Sequence, residues 1–297
     1  MNSPLVSVII ATYRREQTLR KAIESVCSQT YKNIEIVIVD DNDDCEWNNK
    51  IKTIVDSFVD NTDARIVFLV NHPNRGSATT RNLGINASNG EYITFLDDDD
   101  EYLPGKVENQ LNDIVEKNAD YSLTDLDLYY DNGILCEHRR RSFLRKETDL
   151  LLCHLKYHLT GTDTMMFRKT YLLKIGGFDP IDVGDEYYLM MKAIQGGGVF
   201  TYLPITEVKA TVHVGDLGLS SGSGKIKGEN NLYEYKKQFF PGIKQKDRRY
   251  IKMRHRAVLA FASLRDKKYL SYFKNALFAF LISPFNCVVL LTGRRKT

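Results

Sequence analysis

Residues 91–105 read EYITFLDDDDEYLPG, and the rest of the chain is interpreted outward from this stretch. It opens with an apolar run at 92–96, whose aromatic and β-branched side chains favour a strand. The run ends in five consecutive acids at 97–101, and Pro104 and Gly105 follow, where we expect a helix to begin. An apolar strand that carries carboxylates at its C-terminal end is typical of the ligand site of an open α/β sheet.

The acids at 97–101 repel one another, so the cluster is unfavourable unless it is fully solvated or binds a cation. Ligands that are all oxygen atoms suit a hard ion such as Mg²⁺ or Mn²⁺. On their own, these residues leave two interpretations open, a solvated acidic loop and a metal site.

The ninety residues that precede this stretch contain further strands and helices in alternation. Near-continuous apolar runs predict buried strands, and apolar positions at helical spacing predict helices between them. The predicted strands lie at 6–11, 34–39 and 65–70, and the predicted helices at 17–29 and 48–59. This alternation indicates an α/β fold with a mostly parallel central sheet, covered by helices on both faces.

Composition limits the class of protein. The chain has 297 residues, of which 43% are hydrophobic, which is enough for one large domain and a smaller extension. A net charge of +3 is too small to indicate a nucleic-acid partner. The five cysteines form no CxxC pair, so we expect neither a zinc site nor disulfides, and a reducing compartment is favoured. Because no signal peptide is recognisable, we predict a cytoplasmic protein.

Two common nucleotide-binding motifs are absent from the sequence. The first predicted strand is followed by neither a G-x-G-x-x-G loop nor a Walker loop. A nucleotide would therefore be held by side chains and a metal ion.

Several segments in fixed order resemble a known family. They are VSVIIATYRR at 6–15, SVCSQTY at 25–31, NIEIVIVDDN at 33–42 and NRGSATTRNLGINASNGEYITFLDDDD at 74–100. Together they resemble the family 2 glycosyltransferases of GT-A fold, from about residue 5 to residue 107 and more weakly to residue 213.

The resemblance implies a set of donor-binding residues. Thr12 and Tyr13 match a pair that lies against the nucleotide in relatives. Asp40, with Asp41 beside it, matches the acid that contacts the uracil. Arg81 matches an arginine near the nucleotide or its phosphates, as suits a guanidinium.

The family's DxD motif falls on Asp97, Asp98 and Asp99. The resemblance implies that Asp99 binds the metal, Mn²⁺ or Mg²⁺, and that Asp97 or Asp98 reaches the ribose hydroxyls or the metal. The run of four aspartates leaves this register ambiguous by one residue. His213 matches a histidine that some relatives place near the metal or the diphosphate, and a structural histidine is the alternative.

The second half contributes the predicted base. A GGFD turn at 176–179 precedes two acids, where relatives carry Glu-Asp and use the second acid as the catalytic base. Here the order is Asp185-Glu186, so Glu186 is the predicted base and Asp185 the alternative. Neighbouring helical residues point about 100° apart, so only one can face the sugar. A glycine- and serine-rich segment at 215–228 is predicted to be a mobile loop that closes over the donor.

These implications add up to one predicted activity and one domain division. We expect an inverting, metal-dependent transfer from a UDP-sugar to a hydroxyl of a glycan or polyprenyl-diphosphate-linked acceptor, in cell-surface polysaccharide synthesis. Residues 1–228 would form the catalytic domain, with a nucleotide-sugar half at about 1–105 and an acceptor half at 106–228. Residues 229–297 would form a helical C-terminal region.

The most apolar segment is 269–291, whose core is the sixteen-residue run ALFAFLISPFNCVVLL. Interrupted by Pro284, this run is short for a membrane span. Basic residues flank it, so we interpret it as a helical hairpin or amphipathic helix at an anionic membrane surface. That places the protein on the inner face of the cell membrane, whereas packing against the catalytic domain or a partner subunit is the alternative.

Two other functions are compatible with parts of this pattern. A sugar nucleotidyltransferase shares the layout, but it carries a glycine-rich basic loop after the first strand, and TYRREQ at 12–17 has no glycine. A non-catalytic nucleotide-sugar-binding module would keep the donor site, but the acids at 97–99 and 185–186 are intact.

Overall fold

The structure is a computed structural model, and it describes residues 3–59, 61–145, 149–159, 161–181, 183–213 and 222–293. The described residues form two compact units. The first comprises residues 3–59, 61–145, 161–181 and 185–212, and the second comprises residues 149–159, 183–184, 213 and 222–293.

A mixed sheet lies at the centre of the first unit. Its strands are β1 (Val6–Thr12), β2 (Ile34–Asp40), β3 (Arg65–Val70), β4 (Tyr92–Phe95), β5 (Glu101–Tyr102), β6 (Tyr121–Tyr130), β7 (Leu135–Arg139), β8 (Met165–Arg168) and β9 (Phe200–Val212). The order across the sheet is β3-β2-β1-β4-β8-β6-β9-β5, and β7 pairs with β6. The strands predicted at 6–11, 34–39 and 65–70 are confirmed.

The parallel half of the sheet aligns the strand ends that carry the predicted donor residues. β1 pairs in parallel with β2, and Thr12 lies opposite Asp40. β1 also pairs in parallel with β4, with Ile9 opposite Phe95. Because β1, β2 and β4 run in one direction, their C-terminal ends lie along one edge of the sheet. The mostly parallel sheet predicted for this region is confirmed.

β8 runs antiparallel to β4, and Thr94 lies opposite Met166. A short 3₁₀ turn, Thr162–Thr164, leads directly into β8. In an antiparallel pair the start of one strand lies beside the end of the other. The turn is therefore adjacent to the acids that follow β4.

Helices occur in both units. They are α1 (Gln17–Cys27), α2 (Cys45–Val59), α3 (Ser77–Ala87), α4 (Lys106–Glu116), α5 (Leu150–Tyr157), α6 (Lys169–Lys174), α7 (Asp185–Gln195), α8 (Gly222–Lys237), α9 (Gln245–Arg265), α10 (Tyr269–Ile282) and α11 (Pro284–Gly293). In the described part of the chain, none of them is both long and apolar enough to cross a membrane.

The strands are apolar on both faces because helices cover both faces. On one face, α1 and α2 bury Leu19, Ile23 and Ile51 against the even-numbered side chains of β1 and β2. On the other face, α3 approaches so closely that a Cβ atom on Gly84 would lie 2.6 Å from Cγ2 of Ile9. Gly84 thus permits the close contact that fixes α3 on the sheet.

The second unit is helical. Its core joins Met253 and Ala257 of α9 to Ala279 of α10 and Cys287 of α11. Lys156 of α5 forms an ion pair with Asp247 of α9 at 3.1 Å. The helical C-terminal region predicted from the sequence is confirmed.

The predicted boundary at residue 228 falls inside α8. Residues 222–228, which we predicted as part of a mobile loop, begin this helix. The remainder of that predicted loop, 215–221, lies outside the described residues.

Candidate active site

Asp98 joins the end of β1 to the acidic run that follows β4. Thr12 Oγ1 donates to Asp98 Oδ2 at 2.8 Å, and the Tyr13 backbone N–H donates to the same oxygen at 3.1 Å. Burial, reinforced by the nearby Asp99 carboxylate, raises the pKa of Asp98 to about 7. The Tyr13 side chain is 48% exposed, so its ring is available to pack against a planar ligand.

Asp99 forms an ion pair with Arg15, whose Nη2 lies 3.0 Å from Asp99 Oδ2. A metal ion bound by Asp99 would share or compete for this carboxylate with the Arg15 guanidinium. The sequence analysis did not single out Arg15, although its position in the TYRR segment after β1 places it at the same sheet edge.

Arg81 connects two acids that are far apart in the sequence. Its Nη2 lies 2.6 Å from Asp97 Oδ1, and its Nη1 lies 2.7 Å from Asp185 Oδ2. The side chain is only 10% exposed. A buried guanidinium between two carboxylates is strongly held in its charged form, so its pKa is raised by Asp97 and Asp185 against the opposing effect of burial. A phosphate contact for Arg81 stays a prediction.

The two candidate bases differ in their surroundings. Asp185 is 6% exposed, and burial together with the Glu186 charge raises its pKa to about 6 while Arg81 opposes the shift. The Glu186 backbone N–H donates to Asp185 Oδ1 at 3.0 Å. Glu186 is partly exposed at the start of α7. Arg81 thus fixes Asp185, and Glu186 is the more accessible of the two acids.

Three carboxylates meet behind the end of β4. Oxygens of Asp97, Asp100 and Asp163 lie within 4.8 Å of one another. The Asp97 backbone N–H donates to Asp163 Oδ1 at 2.7 Å, and the Thr211 backbone N–H donates to Asp100 Oδ1 at 2.7 Å. A set of three oxygen ligands fits Mg²⁺ or Mn²⁺.

The electrostatics of this triad favour a bound proton or cation. Burial and the charge of Asp97 raise the pKa of Asp163 to about 7. Burial and the charge of Asp163 raise the pKa of Asp100. Repulsion among the three carboxylates is relieved either by protonation or by a divalent ion.

The sequence predicts Asp97 as a metal ligand, whereas Asp100 and Asp163 are not among the predicted ligands. Asp163 lies in TGTDT at 160–164, and nothing in that segment distinguishes it from a turn acid. His213 directly follows β9 along the chain and belongs to the second unit. Its role near the metal or diphosphate, like that of Asp99, stays a prediction.

Asp40, the predicted uracil contact, is fully buried at the end of β2. Asn42 Nδ2 donates to Asp40 Oδ1 at 2.6 Å, and Asn48 Nδ2 donates to Oδ2 at 2.7 Å. Asn42 Oδ1 in turn accepts from the Arg14 backbone N–H at 2.7 Å. The two asparagines therefore fix the Asp40 carboxylate relative to the end of β1.

Asp41 holds the loop that leads into α3. Its carboxylate accepts from Asn71 Nδ2 and from the backbone N–H groups of Arg75 and Gly76, each at 2.9 Å. Gly76 has φ +77°, a left-handed conformation that glycine adopts without strain. The loop geometry thus fixes where α3, and with it Arg81, begins.

A buried lysine lies near the acids that follow β4. Lys106 is fully buried at the start of α4, where its ammonium contacts the hydroxyls of Thr94 and Tyr102. Burial lowers its pKa to about 7, while the nearby Asp163 charge opposes that shift. The sequence analysis missed Lys106, since a lysine after Pro-Gly usually lies on the helix surface.

The sequence of this chain is similar to those of known proteins. A family model described as "Glycosyl transferase family 2" matches residues 7–176. The Escherichia coli UDP-Glc:alpha-D-GlcNAc-diphosphoundecaprenol beta-1,3-glucosyltransferase WfaP is 39% identical over 231 residues, which cover 77% of this chain and 85% of that protein.

Solved structures agree on the fold. The crystal structure of S. aureus TarS 1-349 in complex with UDP-GlcNAc has a TM-score of 0.63 and 17% identity, covering 95% of this chain and 91% of that one. The mannosyltransferase PcManGT from Pyrobaculum calidifontis, in complex with GDP-Man and Mn²⁺, has a TM-score of 0.60 and 16% identity, covering 98% and 79%. These similarities support the GT-A fold.

The matched family segment spans more than half of the chain and contains β1 to β4, the acidic run and Arg81. The chain belongs to glycosyl transferase family 2, and it has the GT-A fold that its sequence predicts.

Proposed function

We propose that this protein is an inverting glycosyltransferase that moves a sugar from a UDP-sugar to a hydroxyl of a glycan carried on a polyprenyl diphosphate. Its place is in cell-surface polysaccharide synthesis. The observation that carries the proposal is the Arg81 bridge, which ties Asp97 at the end of β4 to Asp185 at the start of α7. This bridge brings the partly exposed Glu186 to the acid-lined edge of the sheet.

The donor lies across the ends of β1 and β2 in this proposal. The exposed Tyr13 ring packs on the base, and Asp40, which is fully buried and bonded to its two asparagines, accepts the uracil N–H once the end of β2 opens to the ligand. Asp98, which accepts a hydrogen bond from Thr12, is the proposed contact to the ribose hydroxyls. The name of the Escherichia coli relative includes a UDP-Glc donor, which supports this assignment.

Glu186 is the proposed catalytic base. Its carboxylate removes the proton of the acceptor hydroxyl as that oxygen attacks the anomeric carbon. A new bond forms between the oxygen and the anomeric carbon, and the bond from that carbon to the UDP oxygen breaks with its electron pair on the diphosphate. A single displacement inverts the configuration. Asp185 positions the start of α7 through Arg81 and takes no proton from substrate.

Mn²⁺ or Mg²⁺ is the proposed cofactor. Asp97, Asp100 and Asp163 form an oxygen-donor set that would hold such an ion, and Asp99, which is paired with Arg15, is the further predicted ligand. When bound, the ion neutralises charge on the leaving diphosphate. The Mn²⁺ in the PcManGT complex supports this choice of ion.

The proposed acceptor also indicates where in the cell this protein works. The Escherichia coli relative is named for an acceptor on diphosphoundecaprenol, a lipid held in the membrane. An enzyme that uses such an acceptor works at the membrane surface, so we place this protein on its inner face.

The test uses the full chain with Mn²⁺, a panel of UDP-sugars and a polyprenyl-diphosphate-linked sugar, and it measures UDP release. Glu186→Gln should lower turnover by about 10²–10⁴-fold, because the base is lost while the shape of the side chain is kept. Glu46→Gln, an acid in the first turn of α2, is the matched control and should retain turnover.

The outcomes separate the alternatives. A protein that releases no UDP from UDP-sugars, but forms a UDP-sugar and pyrophosphate from UTP and a sugar 1-phosphate, would be a sugar nucleotidyltransferase. UDP-sugar binding without any turnover would indicate a binding module, and near-normal turnover of Glu186→Gln would remove Glu186 from the mechanism.

A further inference from the structure

The outward face of α10 is apolar and exposed. Leu270 is 86% exposed, Phe273 66%, Leu277 59% and Leu281 62%. At about 100° per residue, these four side chains lie within about 80° of one another around the helix. Ala279, on the opposite side, is only 1% exposed. The helix therefore turns its small side chain inward and its large apolar ones outward.

The orientation of α10 is fixed by its packing within the second unit. Ala279 packs with Met253 and Ala257 of α9. Arg256 of α9 donates to Asn275 Oδ1 at 3.1 Å and lies over the Phe278 ring at 5.6 Å. The apolar outward face is thus a property of the packed helix.

The exposed apolar surface continues onto α11. Phe285 is 78% exposed, Val288 48% and Val289 50%. Soluble proteins seldom expose this many large apolar side chains on two consecutive helices unless these contact a partner or a membrane. Together we name the exposed apolar residues of α10 and α11 the hairpin face.

The charge of the residues around the hairpin face indicates what kind of surface binds to it. Residues 267–297 contain no aspartate or glutamate, and their basic residues are Lys267, Lys268, Lys274, Arg294, Arg295 and Lys296. Lys274 lies about 40° from Leu270 around α10, so its long side chain can extend from the apolar face toward headgroups. A second copy of this chain would bring the same positive charge against itself. An anionic lipid surface complements both the apolar and the basic residues.

We propose that α10 and α11 bind flat to the interface of a membrane that contains anionic lipids. The hairpin face enters the boundary between headgroups and acyl chains, and the lysines contact the headgroup charges. The inference deepens the proposed function, on which it rests for its biological setting, by naming the segment that brings the enzyme to its lipid-linked acceptor. Lipid binding itself requires neither donor nor acceptor.

The experiment floats the full chain with phosphatidylcholine vesicles prepared with and without phosphatidylglycerol. The wild-type protein should bind the anionic vesicles at least about tenfold more tightly than the neutral ones, and added salt should weaken that binding. Absence of binding to either vesicle would overturn the proposal.

Two variants separate the apolar and the charged contributions. The double variant F273E/L277E should weaken binding to anionic vesicles by more than about tenfold, because two apolar side chains are lost from the interface. K267Q/K274Q keeps the apolar residues and should weaken binding by about fivefold per charge, with a smaller salt dependence. V59E/L173E replaces apolar residues that are 51% and 48% exposed in the first unit, and it should bind as wild type does.

Sedimentation of the same variants tests whether a second copy of this chain, and not a membrane, covers the hairpin face. A wild-type dimer that F273E/L277E converts to a monomer, with vesicle binding unchanged, would replace the membrane by a second copy. Vesicle binding without sugar transfer would reject the proposed activity alone. Transfer to a lipid-free acceptor by a protein that binds no vesicles would reject the hairpin inference alone.

Discussion

Asp163 makes the stability of the folded protein depend on pH. Its pKa rises from an ordinary value of 3.8 to about 7, because it is buried and lies near the charge of Asp97. Between these two values the folded state binds more protons at this site than the unfolded state does. The free energy of unfolding therefore falls as the pH rises from about 4 to about 7.

Asp163→Asn should remove part of this dependence. The amide keeps an oxygen to accept from the Asp97 backbone N–H, and it carries no negative charge. At about pH 8 we expect the variant to be about 1–3 kcal/mol more stable than wild type, and the difference should vanish below about pH 3, where Asp163 is protonated in both the folded and the unfolded state. Urea unfolding across this pH range measures the effect.

The same variant tests the metal site. Mn²⁺ should raise the Tm of wild type at neutral pH and should raise that of Asp163→Asn much less, because one ligand charge is missing. Asp56→Asn, whose carboxylate is exposed on α2, is the control and should respond as wild type does. An equal Mn²⁺ response in all three proteins would exclude the triad as a metal site.

Arg81 connects three secondary-structure elements through its two ion pairs. It sits on α3 and pairs with Asp97 after β4 and with Asp185 on α7. A single ammonium group could not reach both carboxylates with the same geometry. The positions of α3 and α7 relative to the sheet edge therefore depend on a guanidinium.

Arg81→Gln should lower the free energy of unfolding by about 3–5 kcal/mol at neutral pH, because both acids lose their buried partner. Without Arg81 the pKa of Asp185 should rise further above about 6, since the arginine is what opposes its upward shift. Protonation then relieves the unpaired charge, so the loss should shrink as the pH falls toward about 4. Urea unfolding of the variant at several pH values gives both quantities.

Arg81→Lys should lie between wild type and Arg81→Gln in stability. Arg139→Gln, a surface arginine paired with Glu137 at 3.4 Å, should change stability by less than about 0.5 kcal/mol. A loss in Arg81→Gln as small as that of this control would show that the bridge does not hold the elements together.

The sequence predicted the elements whose signals are local. Continuous apolar runs identified β1 to β3, and helical spacing identified α1. β5 was missed because Glu101–Tyr102 looks like the end of an acidic loop, and it becomes a strand only by pairing with β9 more than a hundred residues later. The same holds for Asp163, which is brought beside the acids that follow β4 by the antiparallel pairing of β4 with β8.

The sequence predicted which residues belong to the candidate site, but it did not predict which of them contact one another. The family resemblance named Asp97, Asp185 and Arg81. It could not indicate that the two terminal nitrogens of the arginine donate to the two acids, Nη1 to Asp185 and Nη2 to Asp97. Nor could it indicate that Asp40 is held by Asn42 and Asn48. Such pairings depend on three-dimensional register, which one sequence does not encode locally.

At the scale of the complete chain, the two units carry separable parts of the proposed activity. The first unit contains the strand ends, the acids and Arg81, and the second contains the hairpin face. Donor binding and lipid binding should accordingly respond to different substitutions. F273E/L277E should leave UDP binding unchanged, and Glu186→Gln should leave vesicle binding unchanged.

In the proposed mechanism, Glu186 is the base of a single displacement at the anomeric carbon. The most direct test determines by NMR the anomeric configuration of the glycan made from a UDP-sugar of known configuration, for wild type and for Glu186→Gln. We predict an inverted linkage from wild type and almost no product from the variant, with its UDP affinity preserved. A product with retained configuration, or normal yield from Glu186→Gln, would contradict the mechanism.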